Sequence, residues 1–344
     1  MIVACAAVAI AASGAVPASA ASYPYEAAFM ANTGSLWLWT TGGGANMSLG
    51  MAADTSPSIT QLATGGYQFA FQANTGDLWI VGAAGNVNTG HQMMQGTSPV
   101  ISALKGSGYV VAWADPDGDV WTYTPSSGYT ETSYNLGTEY LSGDMSVAVA
   151  GLATGGYEVA FDYFGTANEI AFFGSAGSGT ISGASGGLVA VGSVSITGLA
   201  GGSFAMAWST GEGSDNSSSD TNDVSVYSPA GGILNYLADA TSSPSIAGLS
   251  TGGWEVAYES YPQNNVAVLG SDGSAVEALG MTSPSPLVPA EPQISALSGG
   301  GYEVAFQANN GNLWTFGSAG THSTVLGMNN SNTSPDIAGW NAAL

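Results

Sequence analysis

Seven copies of one aromatic phrase, a repeat period of 42 to 50 residues and four strand-like runs in each period predict an all-β fold, a seven-bladed β-propeller of four-stranded blades. Aligned on their opening aromatic, the copies start at Tyr25, Tyr67, Tyr109, Tyr157, Phe204, Trp254 and Tyr302. Three positions later each has an alanine: Ala28, Ala70, Ala112, Ala160, Ala207, Ala257 and Ala305. An aromatic follows every time, as Phe29, Phe71, Trp113, Phe161, Trp208, Tyr258 and Phe306. A small residue at this position suits blades stacked face to face, because it leaves room for a neighbouring blade's ring.

The first strand of a unit is read from "SPSITQL" (Ser56–Leu62) or "SPSIAGL" (Ser243–Leu249). A Gly-Gly turn leads into the second, "YEVAF", where Tyr302, Val304 and Phe306 alternate with Glu303 and Ala305; this period-two alternation is the strand signal. "ANNG" (Ala308–Gly311) then forms a tight turn, glycine supplying the positive φ. The third strand is "NLWTFG", and the fourth ends in "LGM", as at Leu49–Met51, Leu279–Met281 and Leu326–Met328. The repeats begin at Tyr25 on a second strand and finish with "SPDIAGW" (Ser334–Trp340), a first strand. The C-terminal segment is therefore expected to complete the first blade and close the ring, which removes an open sheet edge. Residues 21–344 are predicted to form this single domain.

Composition narrows the function. Of 344 residues 45% are apolar, enough for a core, and 24 acidic side chains face one basic residue, Lys105, with no arginine. Nucleic-acid binding needs cationic side chains to displace counterions and is excluded, as is attraction to anionic membranes. Residues 1–20, "MIVACAAVAIAASGAVPASA", combine an apolar run with Ala18-Ser19-Ala20, the pattern of a secretory signal peptide. Its basic leading segment is missing, consistent with a truncated or miscalled start. Secretion is expected, with no membrane insertion after cleavage. Cleavage would remove Cys5, the only cysteine, and with it any disulfide or thiolate chemistry.

Little in the sequence provides for catalysis. His91 and His322 occupy different offsets in their repeats and are expected as exposed loop residues. No metal-binding His or Cys cluster, nucleophile elbow or P-loop is present, and no cofactor is expected. Glu26, Glu158, Glu255 and Glu303 follow the opening aromatic in four units. Two acids can hydrolyse a glycosidic bond, but one equivalent acid per blade reads as scaffold, a polar group accepting backbone hydrogen bonds near a strand end. The acidic loop Gly211–Asp223 is rich in oxygen ligands, yet Asp215, Asp220 and Asp223 match no EF-hand spacing, so a solvated loop is expected.

Tryptophan marks the third strand of units one, two, three and seven at Trp37, Trp79, Trp121 and Trp314. Unit four has Ile170 nearby, and units five and six have Ser225 and Ala267. The Asn-Gly turn is short in units one, two and seven, is read as one residue longer in unit three, and is lost in four to six. In a closed ring, units seven, one, two and three form one arc. An indole face can pack on the C–H surface of a sugar, and Gln72, Asn74, Gln307 and Asn309 place amides beside these tryptophans. The competing expectation is that the indoles are core, each burying about 150–250 Å², with the asparagines in ordinary turns.

The units "GGYEVAFQANNGNLWTFG" and "TGSLWLWTTGG" resemble the tandem repeats of the fucose-lectin-like superfamily of bacterial propellers, from Tyr25 to the C-terminus. The resemblance implies sugar binding in several shallow pockets between blades. The superfamily's fucose sites use an arginine, and this chain has none. "NTGDLW" also looks like a relaxed Asp-box, the structural hairpin motif of sialidases. The expected function is a secreted, non-catalytic lectin for neutral glycans or cell-surface polysaccharide; a scaffold or protein-interaction module is the alternative, and a propeller glycosidase or lyase a third.

Overall fold

A computed structural model describes residues 23–136, 147–163, 169–181, 188–212, 222–240, 242–260, 262–281, 291–329 and 333–339. The leader, Trp340 and most of the acidic loop lie outside the described residues. The chain forms seven four-stranded antiparallel blades arranged in a ring. Blade one pairs the C-terminal strand Asp336–Gly339 with Tyr25–Met30, then Ser35–Thr40 and Gly43–Gly50, so the last strand completes the first blade. Blade two is the plain case: Ser58–Gln61, Tyr67–Gln72, Asp77–Gly82 and Val87–Gln92 in spatial and chain order.

The core lies between blades, and the repeated alanine explains how. Seven apolar clusters form, one per junction, and each holds the alanine of one blade with the opening aromatic of the next: Ala28 with Tyr67, Ala70 with Tyr109, Ala112 with Tyr157, Ala160 with Phe204, Ala207 with Trp254, Ala257 with Tyr302, and Ala305 with Tyr25. All seven alanines are fully buried. A larger side chain there would drive into a ring across a close-packed interface.

The innermost strands are also joined by two sets of polar bonds. In the first, a side-chain oxygen of one blade accepts a backbone N–H from the next. Ser58 and Thr60 take Ile101 and Ala103 (3.1 and 2.9 Å), Ser102 takes Gly151 (3.0 Å), and Ser195 and Thr197 take Ile246 and Gly248 (3.1 and 2.9 Å). Ser245 takes Ile294 (3.2 Å), Ser295 takes Gly339 (2.8 Å), and Asp336 takes Ile59 (2.8 Å). The second set runs the other way and explains the recurrent Ser-Pro. Ser334 accepts from Glu291 N, Ser56 from Ser334 N, Ser98 from Ser56 N, and Ser243 from Ser193 N, at 2.8–3.1 Å.

Candidate functional site

The four motif tryptophans lie in third strands, opposite the second-strand aromatics: Trp37 pairs with Phe29, Trp79 with Phe71, Trp121 with Trp113, and Trp314 with Phe306. Each is half-buried in the junction with the preceding blade, giving one continuous series over junctions six–seven, seven–one, one–two and two–three. This register places Ala171, opposite Phe161, at the tryptophan position of blade four, in place of Ile170. Ser225 and Ala267 stand there in blades five and six. The turn of blade three is not longer than the others: Gly118 N bonds Asp115 O (2.9 Å) just as Gly76 N bonds Ala73 O (2.8 Å). Pro116 in place of asparagine disguises an equal spacing.

The asparagines have a structural partner that the sequence alone conceals. Asn74 N donates to Gly50 O (3.2 Å), Asn309 N to Gly280 O (3.3 Å), and Asn32 N to Gly327 O (3.2 Å). Those glycines are the central residues of "LGM" in the preceding blade. A Cβ on Gly50 would stand 2.8 Å from Asn74 Nδ2, and one on Gly280 3.1 Å from Asn309 Nδ2. The Asn-Gly turn of one blade and the "LGM" of its neighbour are thus two halves of one contact. Blade two carries Gln92 at the glycine position, and blade three answers with Pro116. The side chains of Asn74 and Asn309 are exposed, whereas Gln72 and Gln307 are 3% and 1% exposed. Gln72 Nε2 points at the carbonyls of Gly76, Met93 and Met94 (3.4–3.5 Å), and Gln307 Nε2 at that of Asn329 (3.5 Å).

The indoles differ in one respect. Trp121 Nε1 donates to Asp115 Oδ2 (3.1 Å), while the buried Nε1 atoms of Trp37, Trp79 and Trp314 have no protein acceptor. Ala31, Ala73 and Ala308 occupy the position of Asp115 in those blades. His91, from the fourth strand of blade two, also lies over blade three, its ring 5.4 Å from Trp121, 5.8 Å from Trp113 and 4.3 Å from Tyr129. The expectation of exposed loop histidines fails for both. His91 and His322 sit half-buried in strands Val87–Gln92 and His322–Gly327, the latter 5.7 Å from Trp39. Flat imidazoles fill space between blades as other rings do. The grouping of Asp115 and Tyr129 with His91 is not evident from the sequence because His91 belongs to the preceding blade; the available signal is that His91 replaces the leucine of "LGM".

The repeated acids behave as scaffold in blades four and seven. Glu158 Oε2 accepts Ala176 N and Glu303 Oε2 accepts Ala319 N (both 3.0 Å); Gln68 Oε1 accepts Ala84 N (2.9 Å). In blade one the hairpin Thr40–Gly43 is as short as Gly174–Gly177 of blade four, but its equivalent donor, Gly42 N, is taken by Thr40 Oγ1 (3.1 Å), and Glu26 Oε2 is buried without a protein partner. Burial raises Glu26, Glu158 and Glu303 to about 7. Tyrosines of the following blades stand against these acids: Tyr67 by Glu26, Tyr25 by Glu303, Tyr302 by Glu255. Among the described residues no group of three or more His, Cys, Asp or Glu side chains is placed to hold a metal ion.

No protein-family model matches the chain, and no curated protein is similar to it. Solved structures share its fold. AofleA from Arthrobotrys oligospora matches with 14% identity and TM-score 0.50 over 86% of this chain and 92% of its own. The SapL1 lectin, solved with α-methyl fucoside, matches with 9% identity and TM-score 0.51 over 80% and 96%. Streptogramin B lyase matches as well, with 14% identity and TM-score 0.50 over 83% and 88%. The chain is similar to these propellers in architecture, and that architecture hosts both binding and catalysis.

Proposed function

We propose that the chain is a secreted, non-catalytic lectin-like propeller that binds neutral glycans in the outer clefts between blades. The observation that carries this reading is the run of half-buried tryptophans at one equivalent position over four consecutive junctions. Similarity of fold to the SapL1 lectin supports it. Trp37, Trp79 and Trp314 are the principal contacts, with the exposed Asn74 and Asn309 at the rims. Trp121 is engaged internally by Asp115 and His91 and contributes less. The acidic chain, with Lys105 its only cation, disfavours sulfated and uronic glycans. Each shallow cleft is expected to bind near millimolar strength, about −4 kcal/mol, with several clefts acting together on a polysaccharide.

The test is a neutral-glycan array followed by polysaccharide retention of Trp79→Ala and Trp314→Ala. Both variants are expected to stay folded and to lose retention severalfold. If both unfold, the indoles are core; if both fold and bind every glycan as before, the scaffold alternative replaces the lectin.

A further inference from the structure

The polar rungs between innermost strands are missing at one junction. The two rung positions of an innermost strand are Ser58 and Thr60 in blade two, and they carry at least one oxygen acceptor toward the next blade in six blades. In blade four they are Ala148 and Ala150. No rung to blade five can form there, because alanine has no acceptor. The strands are not further apart at this point. A Cβ on Gly198 of blade five would overlap Gly151 O of blade four, just as one on Gly339 would overlap Ala296 O. What remains at the rung positions is apolar: Ala148 and Ala150 lie in one cluster with Val194 and Ile196 of blade five. Apolar contact is non-directional, so it resists separation of the strands without fixing their register.

We propose that the blade four–five junction is the built-in seam of the ring, the place where its innermost strands part first. The obvious rival is blade one, where a strand from the far end of the chain is held only by non-covalent bonds. That junction is well secured. Asp336 accepts from both Ile59 N and Ser58 Oγ, Ser295 holds Gly339 N, and Tyr25 Oη bonds Thr315 Oγ1 (2.7 Å) of blade seven. A ring closed firmly where its chain ends meet and loosely on another side opens without losing its terminal strand.

Amide exchange of the full chain, read by mass spectrometry on peptides of the innermost strands, tests this. Val147–Gly151 and Val194–Gly198 should exchange faster than Ser58–Gln61 and Val100–Ala103. Ala148→Ser and Ala150→Ser, which copy the Ser58 and Ser102 positions, should each slow exchange at the seam by about fivefold, the effect of one net hydrogen bond. The converse variant, Ser58→Ala with Thr60→Ala, should bring junction two–three to the seam's rate. Earliest exchange in Asp336–Gly339, or seam rates unmoved by the serines, overturns the proposal. An unchanged junction two–three in the converse variant overturns it equally.

Discussion

Tryptophan in a third strand has two uses here, and single residues separate them. Trp121 has its N–H taken by Asp115, whose other oxygen also accepts Asp117 N (3.0 Å) and Asp119 N (2.9 Å) to build the turn. Asp115→Ala should therefore strand a buried indole donor and loosen the hairpin, costing about 1–3 kcal/mol in denaturant unfolding, whereas Asp115→Asn should recover part of this. The absence of tryptophan from blade four is compensated within the core. Tyr134 of blade three lies 5.2 Å from Phe161 and stacks on Phe173 at 4.7 Å, beside the small Ala171. Loss of the indole in that unit thus has a packing explanation as well as a functional one.

At the scale of the hairpin, one glycine carries a severe constraint. Gly82 has φ +146°, and a Cβ there would overlap the Tyr67 carbonyl while standing 2.7 Å from Gln68 Oε1. Gly174 and Gly317 repeat this contact against Tyr157 and Glu158, and against Tyr302 and Glu303. The glycine lets the hairpin close over the repeated Glu or Gln. Gly82→Ala should cost about 2–3 kcal/mol through backbone strain alone, measurable as a lowered denaturation midpoint. Gly34→Ala, with positive φ but nothing within 4 Å of the new Cβ, should cost about 1 kcal/mol.

For the whole molecule, closure and acidity set the stability. Removing residues 334–344 takes away the innermost strand of blade one, with the Asp336 bonds and the contribution of Ile337 to the seven–one core. The truncated chain should expose a sheet edge and aggregate in light scattering. The second prediction concerns pH. Glu26, Glu158 and Glu303 have folded values near 7 against an ordinary 4.5, and burial raises Asp336 to about 6. Their proton-linked stabilisation is fully present below the ordinary values and lost as pH rises through 6 to 7, because the folded chain holds more protons there than the unfolded one. Self-repulsion among the acids acts in the same direction. Melting temperature should fall between pH 5 and 8, and a rise over that range would contradict the assignment.

Repeat number, strand order and ring closure were legible in the sequence because each blade buries the same face and so reuses the same residues: Ala70, Tyr67 and Phe71 recur at their spacing in every unit. The candidate site was only half legible. The series of tryptophans could be read, but not that Gln72 and Gln307 turn inward, that Asn74 completes Gly50, or that His91 reaches Trp121. The first rests on carbonyls about twenty positions further along the same blade, and the other two on contacts between neighbouring blades, which a repeat pattern does not spell out. A repeat pattern records what one blade needs; which neighbour meets it, and which surface stays open, is decided only when seven blades close into a ring.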